Sequence, residues 1–591
     1  MYKFELMRKA SILLTVLLFS YSLGYGQNLS QKIPEDALIV FSINAEQVRQ
    51  KADMESLMEM EFIQQIEQEL SKSDNQALLS AIYSDPQSIG LNAEDGYYYF
   101  MQANDSMLYM NFLFGISDKA HFDNFVSQTF LNGITPTQEE KTSYFSTKTL
   151  GIRWDEQYAL FVGGVPLKKK SIYSQVDYDD PEYDQKIDAL REERDTWLSK
   201  QWLEHLKASE TKKSLMKESA NFNNFIDKAP DLGLWGNWKV FQLNLIQGLK
   251  EVRELRNIDQ VKLFESLNAL LGGNYLHMYG NFENGKITLE TQQYLSEKLA
   301  KLSEGMYDKR PNPEYLKYID KNNLIGFYSM AIDIEKLVNM TWTIYKPFLE
   351  SIPEYGPMAH SSMEILGLLL DEQALYNLMK GDLVLSISAM MEVEREYTSY
   401  EYDEDFNYTE IKKTKKEAIP EFTALMGIGN KENFEIILRA LLRTKILQPT
   451  EDGLYYEIRA KELPIAFYLA IQDDIILLTN NTSLLDKKVL KKGLKKKYRL
   501  EKERAELMTE NAQSLYLDIP RLLTNLEKIE KANSKELTVI NKLKEEADNM
   551  NLVGVKVEGN KLTSNFELVL QNDKQNSLKI LTQLMNFLFH L

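Results

Sequence analysis

The sequence predicts an α+β fold: two tandem homologous domains, each a mainly antiparallel sheet covered by helices. Three observations point there. Short apolar or alternating runs suited to strands are interleaved with segments of helical period. Turn signals join neighbouring strands as hairpins, which favours antiparallel pairing over a parallel, doubly wound sheet. Patterns from the first half of the 591 residues also return, in the same order, in the second.

The front of the chain reads "MRKASILLTVLLFSYSLGYGQ" from Met7, with Arg8 and Lys9, an apolar stretch from Ile12 to Phe19, and Gly24 and Gly26 before Gln27. That order is the layout of a secretory signal peptide, expected over residues 1–26 with cleavage near Gly26/Gln27 and a periplasmic or extracellular destination. The apolar part is far short of the roughly 20 residues a membrane span needs. No later run is long enough either, so the mature chain is expected to carry no transmembrane segment.

"IPEDALIVFSIN" (33–44) then gives a buried strand over Asp36–Asn44. Residues 45–71 have helical spacing, with Val48, Met54, Leu57, Phe62 and Ile66 among polar neighbours. "YYYFM" (97–101) and "MLYMNFLFGI" (107–116) flank "QANDS" as a hairpin. "AHFDNFVSQTF" reads as a helix with Ser117 as its N-cap. Two strands follow at about 142–149 and 157–163. Asn284-Gly285 joins a later pair as a type I′ turn, where both residues tolerate positive φ, and Glu558-Gly559-Asn560 takes that place in the second half. "YDKRPNPEYLKYID" (307–320) carries Pro311 and Pro313, so a helix should end near Gly305 and an elbow should follow.

The repeats define the domains. "IPEDALIVFSIN" is matched by "IDKNNLIGFYSM" (319–330) at an offset of 286, and "FGISDKAHFDNFV" (114–126) by "MGIGNKENFEIIL" (426–438) at 312. "LKKK" at 167–170 and 494–497 gives 327, "LGLWGNW" against "QSLYLDI" gives 281, and "MYGNFENGKIT" against "LVGVKVEGNKL" gives 274. The changes of offset require insertions. One of 26 residues fits the charged, tyrosine-rich stretch 392–417, and one of 46 fits 172–217, an acidic loop and a long polar helix. A further 15 residues find no place. The domains expected are 27–308 and 309–591, each a true folding unit because two copies cannot make a solenoid.

Composition narrows function. The chain is 44% hydrophobic and 11% aromatic, ample for more than one core, and its net charge of −18 repels nucleic acid, so no nucleic-acid partner is expected. There is no cysteine, which excludes disulfides, thiol nucleophiles, cysteine-bound metals and a lipid-bearing cysteine after the signal.

The proline-led opening after a signal, with "LMKESANFNNFIDKAPDLGLWGNW" (215–238) in mid-chain, resembles a family of uncharacterised exported proteins of Bacteroidota-type bacteria, defined only as a domain of unknown function. The resemblance covers most of the mature chain and implies export. Many members resemble lipoproteins, and this chain departs from them in lacking the cysteine. The family supplies no catalytic residues to carry over.

The residues themselves name no chemistry: no catalytic, cofactor-binding or metal residue is expected, and no cofactor. His121, His205, His277, His360 and His590 stand singly, outside metal-binding spacings, and read as surface or half-buried side chains. Ser117, Asp118 and His121 lie on one turn, where neighbours do not make a charge relay, and Gly429 stands opposite Ser117 in the repeat. The acidic runs 177–188 and 401–406 could hold Ca²⁺ but lack EF-hand spacing and read as solvated loops. The basic run "KKVLKKGLKKKYRLEKER" (487–504) would suit anionic lipid or an acidic partner, but reads first as a solvated helix face. Trp154, Trp235 and Trp238 could stack on sugars, yet the alternation in "LGLWGNW" favours core packing. The expected function is a non-enzymatic binding or scaffold module of the cell envelope with a ligand or partner still to be named. The alternative is an envelope hydrolase of glycan or peptide using paired carboxylates in an interdomain cleft, and a third reading is an inactive chaperone-like or inhibitory module.

Overall fold

The computed structural model describes residues 27–591 apart from 53–86, 93–95, 105, 132–134, 168–175, 179, 239–258, most of 353–370, 403–407, 459–464, 530–533 and 590–591. The expected signal peptide, the predicted helix beyond Ala52, Lys168–Lys170, residues 403–406, His360 and His590 therefore lie outside the described residues.

The fold is α+β with a large antiparallel sheet. Its first strands are β1 (Ile39–Ile43), β2 (Leu91–Asn92), β3 (Tyr97–Ala103), β4 (Met107–Ile116), β5 (Thr137–Glu139), β6 (Thr142–Ser146), β7 (Gly151–Trp154), β8 (Tyr158–Pro166), β9 (Leu232–Asn237), β10 (Tyr275–Glu283) and β11 (Lys286–Tyr294). Their neighbours run β10–β9–β1–β3–β4–β8–β7–β6–β5, every pair antiparallel. The later strands are β12 (Gly326–Ala331), β13 (Met379–Tyr402), β14 (Tyr408–Ile428), β15 (Leu447–Pro449), β16 (Tyr456–Ile458), β17 (Phe467–Gln472), β18 (Ile475–Thr479), β19 (Gln513–Asp518), β20 (Ala547–Glu558) and β21 (Lys561–Leu570). They run β21–β20–β19–β12–β13–β14–β18–β17–β16–β15, again all antiparallel.

The helices used below are α1 (Ala45–Ala52), α2 (Lys119–Val126), α3 (Tyr183–Thr211), α4 (Ala220–Asp227), α5 (Gln260–Leu271), α6 (Glu297–Ser303), α7 (Ile334–Glu350), α8 (Glu372–Tyr376), α9 (Lys431–Arg443), α10 (Lys487–Lys492), α11 (Lys502–Thr509), α12 (Ile519–Ile529), α13 (Ser534–Glu546) and α14 (Ser577–Phe589). Helix α6 ends just before Gly305, whose φ of 69° only glycine adopts without strain, as the sequence predicts.

Two compact units emerge. One comprises Met1–Asn244, Gly273–Thr291 and Lys574–Leu591, the other Leu245–Gly272 and Gln292–Asp573. They interleave along the chain rather than meeting at residue 308. The last helix, α14, packs on α1 and β10 in the first unit, while α5 and α6 pack on α7 in the second.

The first unit fills both faces of its strands. One cluster gathers Val40, Phe100, Leu113, Trp235 and Tyr279 with Phe222 and Phe225 of α4 and Trp202 of α3. The other gathers Tyr97, Phe114, Trp154 and Phe161 with Phe122, Phe125 and Val126 of α2. In the second unit, Phe327, Val384, Leu425, Leu477 and Tyr516 form a core under Tyr315, Leu490 and Met508.

Several expectations shift locally. The N-cap of α2 is Asp118, whose carboxylate accepts from the His121 N–H at 3.0 Å, while Ser117 Oγ donates to the Leu91 carbonyl at 3.1 Å. The Asp118 carboxylate, one residue later, stands where it can accept from a free N–H of the first helical turn. Of the Asn284-Gly285 pair only Gly285 has positive φ, at 70°, so the hairpin is real but not type I′. The strand predicted at 142–149 is β6, which ends at Ser146 in a turn held by Thr147 Oγ1 and the Leu150 main chain, and β7 follows at Gly151. Residues 392–402 and 408–417 extend β13 and β14 as paired strands in which acidic β13 faces basic β14, with Lys416 pairing Glu392 and Lys413 pairing Glu401. Opposite charges across strands stabilise such a ladder.

Candidate functional site

A cavity of about 810 Å³ opens in the second unit where β13, α8 and α9 meet the proline elbow. Lys309, Arg310, Tyr376, Lys380, Asp382 and Asn430 are among its lining residues. Sequence dictates the geometry. Strand β14 ends in "MGIGN", and a Cβ on Gly429 would lie 2.1 Å from the Asn377 carbonyl, so only glycine permits that turn into α9. Asn430 then caps α9, accepting from the Asn433 N–H at 3.1 Å. On the other wall, Asn312 caps the short turn Pro313–Tyr318 and donates its own N–H to Asp382 at 3.1 Å.

Asp382 is buried and also accepts from the Gly427 N–H at 3.2 Å, so its carboxylate holds two main-chain groups together. Burial, with this carboxylate nearby, pushes the Tyr315 hydroxyl well above its ordinary range. Lys380 is paired with Asp474, and that hydrogen bond holds the Asp474 carboxyl below the usual range. Lys309 lies 3.3 Å from Asp333; burial raises the Asp333 carboxyl, but the Lys336 N–H and the Lys309 ammonium outweigh it and hold it low. Arg310 differs. It donates to the carbonyls of Glu510 (2.7 Å), Tyr307 (2.9 Å) and Lys309 (2.8 Å), and among the described residues no carboxylate pairs with it. Of the three cations that line the space, Lys309 and Lys380 are thus paired with Asp333 and Asp474, and Arg310 is left facing one lining carboxylate, Asp382, that is already engaged. Such a cavity attracts anions. It offers no second carboxylate for acid–base work on a glycosidic bond.

The residues weighed in the sequence do not gather here. Ser117, Asp118 and His121 make a local cap, with the exposed His121 ring 2.8 Å from Asp118 and no third member. His205 and His277 are buried, not superficial. His205 Nε2 lies 3.0 Å from Asn111 Oδ1 and its ring stacks on Tyr109; His277 lies between Tyr279 and Asn221, each at 2.8 Å. Trp154 and Trp235 are core residues, donating to Asp123 (2.7 Å) and Asn221 (2.9 Å). In 177–188, Asp180 caps the approach to α3 and pairs with Lys186 at 2.7 Å. Among the described residues no group of His, Asp and Glu could hold a metal ion, and no helix is long and apolar enough to cross a membrane. The basic run forms α10, a short 3₁₀ turn and the start of α11. Sequence reading missed Arg310, Lys380 and Asn430. The "KRPNP" elbow passes for a linker and "GIGN" for an ordinary turn, and only their convergence makes a site.

A family model described as Domain of unknown function (DUF4836) matches residues 30–165 and 189–578. No curated protein matches the chain. Two solved structures, crystal forms III and I of TP0453, are 11% and 12% identical, cover 47% of this chain and 86% and 85% of their own, and have TM-scores of 0.21 and 0.20, too low to bear on the fold.

Proposed function

The chain belongs to the DUF4836 family, whose description names no activity, and from that premise we propose an exported, non-enzymatic binding module of the cell envelope, built from a duplicated domain, with the Arg310 cavity as its ligand site. The observation that carries the binding reading is the Arg310 guanidinium, held in place by three main-chain carbonyls yet paired with no described carboxylate, at a cavity of ligand size.

Strand order supports duplication. Trp235 faces Val40 as Tyr516 faces Phe327, His277 faces Trp235 as Asn551 faces Tyr516, and Gly115 faces Tyr158 as Gly427 faces Ile475. These pairs keep the offsets 281, 274 and 312, but Phe327 against Val40 gives 287 rather than 286, and Ile475 against Tyr158 gives 317, ten short of the "LKKK" match at 327. Export rests on the order of basic, apolar and small residues in 1–26. The mature protein should begin at Gln27, which N-terminal sequencing from an envelope fraction reads directly.

Titration of residues 27–591 with inorganic phosphate and with acetate tests the site. Saturable binding of either, weakened at least about tenfold by Arg310→Ala as loss of a charge-assisted contact implies, is the expected result. Equal binding by both proteins, or none, overturns it.

A further inference from the structure

The two units treat one equivalent surface differently. In the first, Tyr97, Phe114, Trp154 and Phe161 close with α2 into a core, with Phe122 0% and Phe125 8% exposed. In the second, the register places Leu383, Met426, Ile471 and Leu478 at those positions. Leu383 faces Met426 as Tyr97 stacks beside Phe114, and Ile471 faces Ile476 as Trp154 faces Ala159. Helix α9 leaves β14 where α2 leaves β4, and its stripe Phe434, Ile437, Leu438, Leu441 and Leu442 has the i, i+3, i+4 spacing of a core-facing helix. Yet no residue of α9 is buried. Ile437 is 39% exposed, Leu375 of α8 is 54% exposed, and Leu383, Met426, Ile471 and Leu478 are only half-buried.

The cause is volume. Five aromatic side chains of the first unit (Tyr97, Phe114, Phe125, Trp154 and Phe161) have become aliphatic in the second, and each aromatic ring would have filled and covered about 150–250 Å². The positions remain apolar, so the sequence has kept a greasy surface and removed what closes it. Apolar side chains left half-exposed in this way forgo the stabilisation that full burial would give. Something apolar and slender fits it better than water does.

The open surface also runs up to the charged cavity. Tyr376 and Asn430 line that cavity, Leu375 adjoins Tyr376, and Phe434 lies one turn beyond Asn430 on the same helix. From Phe434 to Leu442 the stripe runs about 12 Å, room for much of an extended hydrocarbon chain. We infer that the second unit binds a long-chain carboxylate, with its head group at Arg310 and its chain laid along the half-open apolar face of α9 and β13–β14–β18–β17. This inference rests on the anion-site reading and names its ligand. Charge complementarity decides the occupant: Arg310, a cation with no described carboxylate partner, stands at one end of an otherwise aliphatic track, the polarity of a fatty-acid anion.

The experiment titrates residues 27–591 with hexadecanoate, hexadecanol and acetate. Expected are one hexadecanoate per chain, binding at least tenfold tighter than acetate and at least tenfold tighter than hexadecanol. Refilling the face with Met426→Phe, Ile437→Phe and Leu478→Phe should abolish hexadecanoate binding and leave acetate binding in place. Because added volume can distort a core, Ile437→Lys serves as a second variant: it places a charge at an already accessible position and should abolish hexadecanoate binding with an unchanged circular dichroism spectrum. If acetate binds through Arg310 but hexadecanoate binds no tighter, the amphiphile inference falls and the anion site stands. If neither binds, both fall. If sedimentation shows a dimer that Ile437→Lys disperses in the absence of hexadecanoate, a second copy covers the face and the inference is overturned.

Discussion

His205 and His277 sit as neutral imidazoles inside the first unit, where burial pushes them down to about 3 and about 4. An imidazole whose folded value lies below its ordinary 6.5 is unprotonated in the fold while the unfolded chain takes up a proton. Its contribution is thus complete above about 6.5 and drains away as pH falls from there toward about 3. The thermal midpoint of a protein spanning residues 27–591 should decline across that window. His205→Gln, which keeps an N–H near Asn111 without titrating, should flatten the decline in a pH series of melting curves. Trp235→Phe removes the donor to Asn221 inside a filled core and should cost about 1–3 kcal/mol in chemical denaturation. At this scale the sequence was partly legible. The alternation in "LGLWGNW" correctly put Trp235 in a core, but nothing local distinguishes a buried histidine from a surface one, since the partners Asn111 and Asn221 lie 94 and 56 positions away.

Elements were more legible, because strand period and helix period are local properties. The hairpins at 97–116 and 275–294 and the long polar helix α3 stand where pattern placed them. The 392–417 stretch was legible as an addition but not as structure. Its alternation is of charge, not of hydrophobicity, and only the facing strand shows that Glu392 meets Lys416 across it. Beyond Glu421 and Ala389 the two strands pair with each other alone, and their outer residues are exposed on both faces. A two-stranded ribbon with exposed ion pairs adds little to the stability of the unit beneath. Replacing 392–417 by a short turn should leave the melting temperature within about 2–4 °C of the parent, a shift worth no more than about 1 kcal/mol. A larger fall would mean that the ribbon is packed in solution.

For the whole molecule, repeated order was visible in sequence but the packing units were not. Offsets count residues along a chain, whereas α14 joins the first unit across the entire length of the second. The open apolar face was likewise invisible from pattern, because leucine and isoleucine read as core whether or not anything covers them. A fragment ending at residue 308 keeps every strand β1–β11 yet lacks α14, the partner of α1 and β10. It should unfold without a cooperative transition in a calorimeter, while a protein spanning residues 27–591 gives one or more sharp transitions.

The placement of α14 also sets a timetable. The lobe synthesised first waits for α14, which follows the whole of the second unit along the chain, so it cannot be finished until residues 577–589 have left the ribosome. Completion of that lobe is held back until α14 has been made, and a product clipped before residue 577 carries a gap in its earliest-made half, where quality-control proteases can find it.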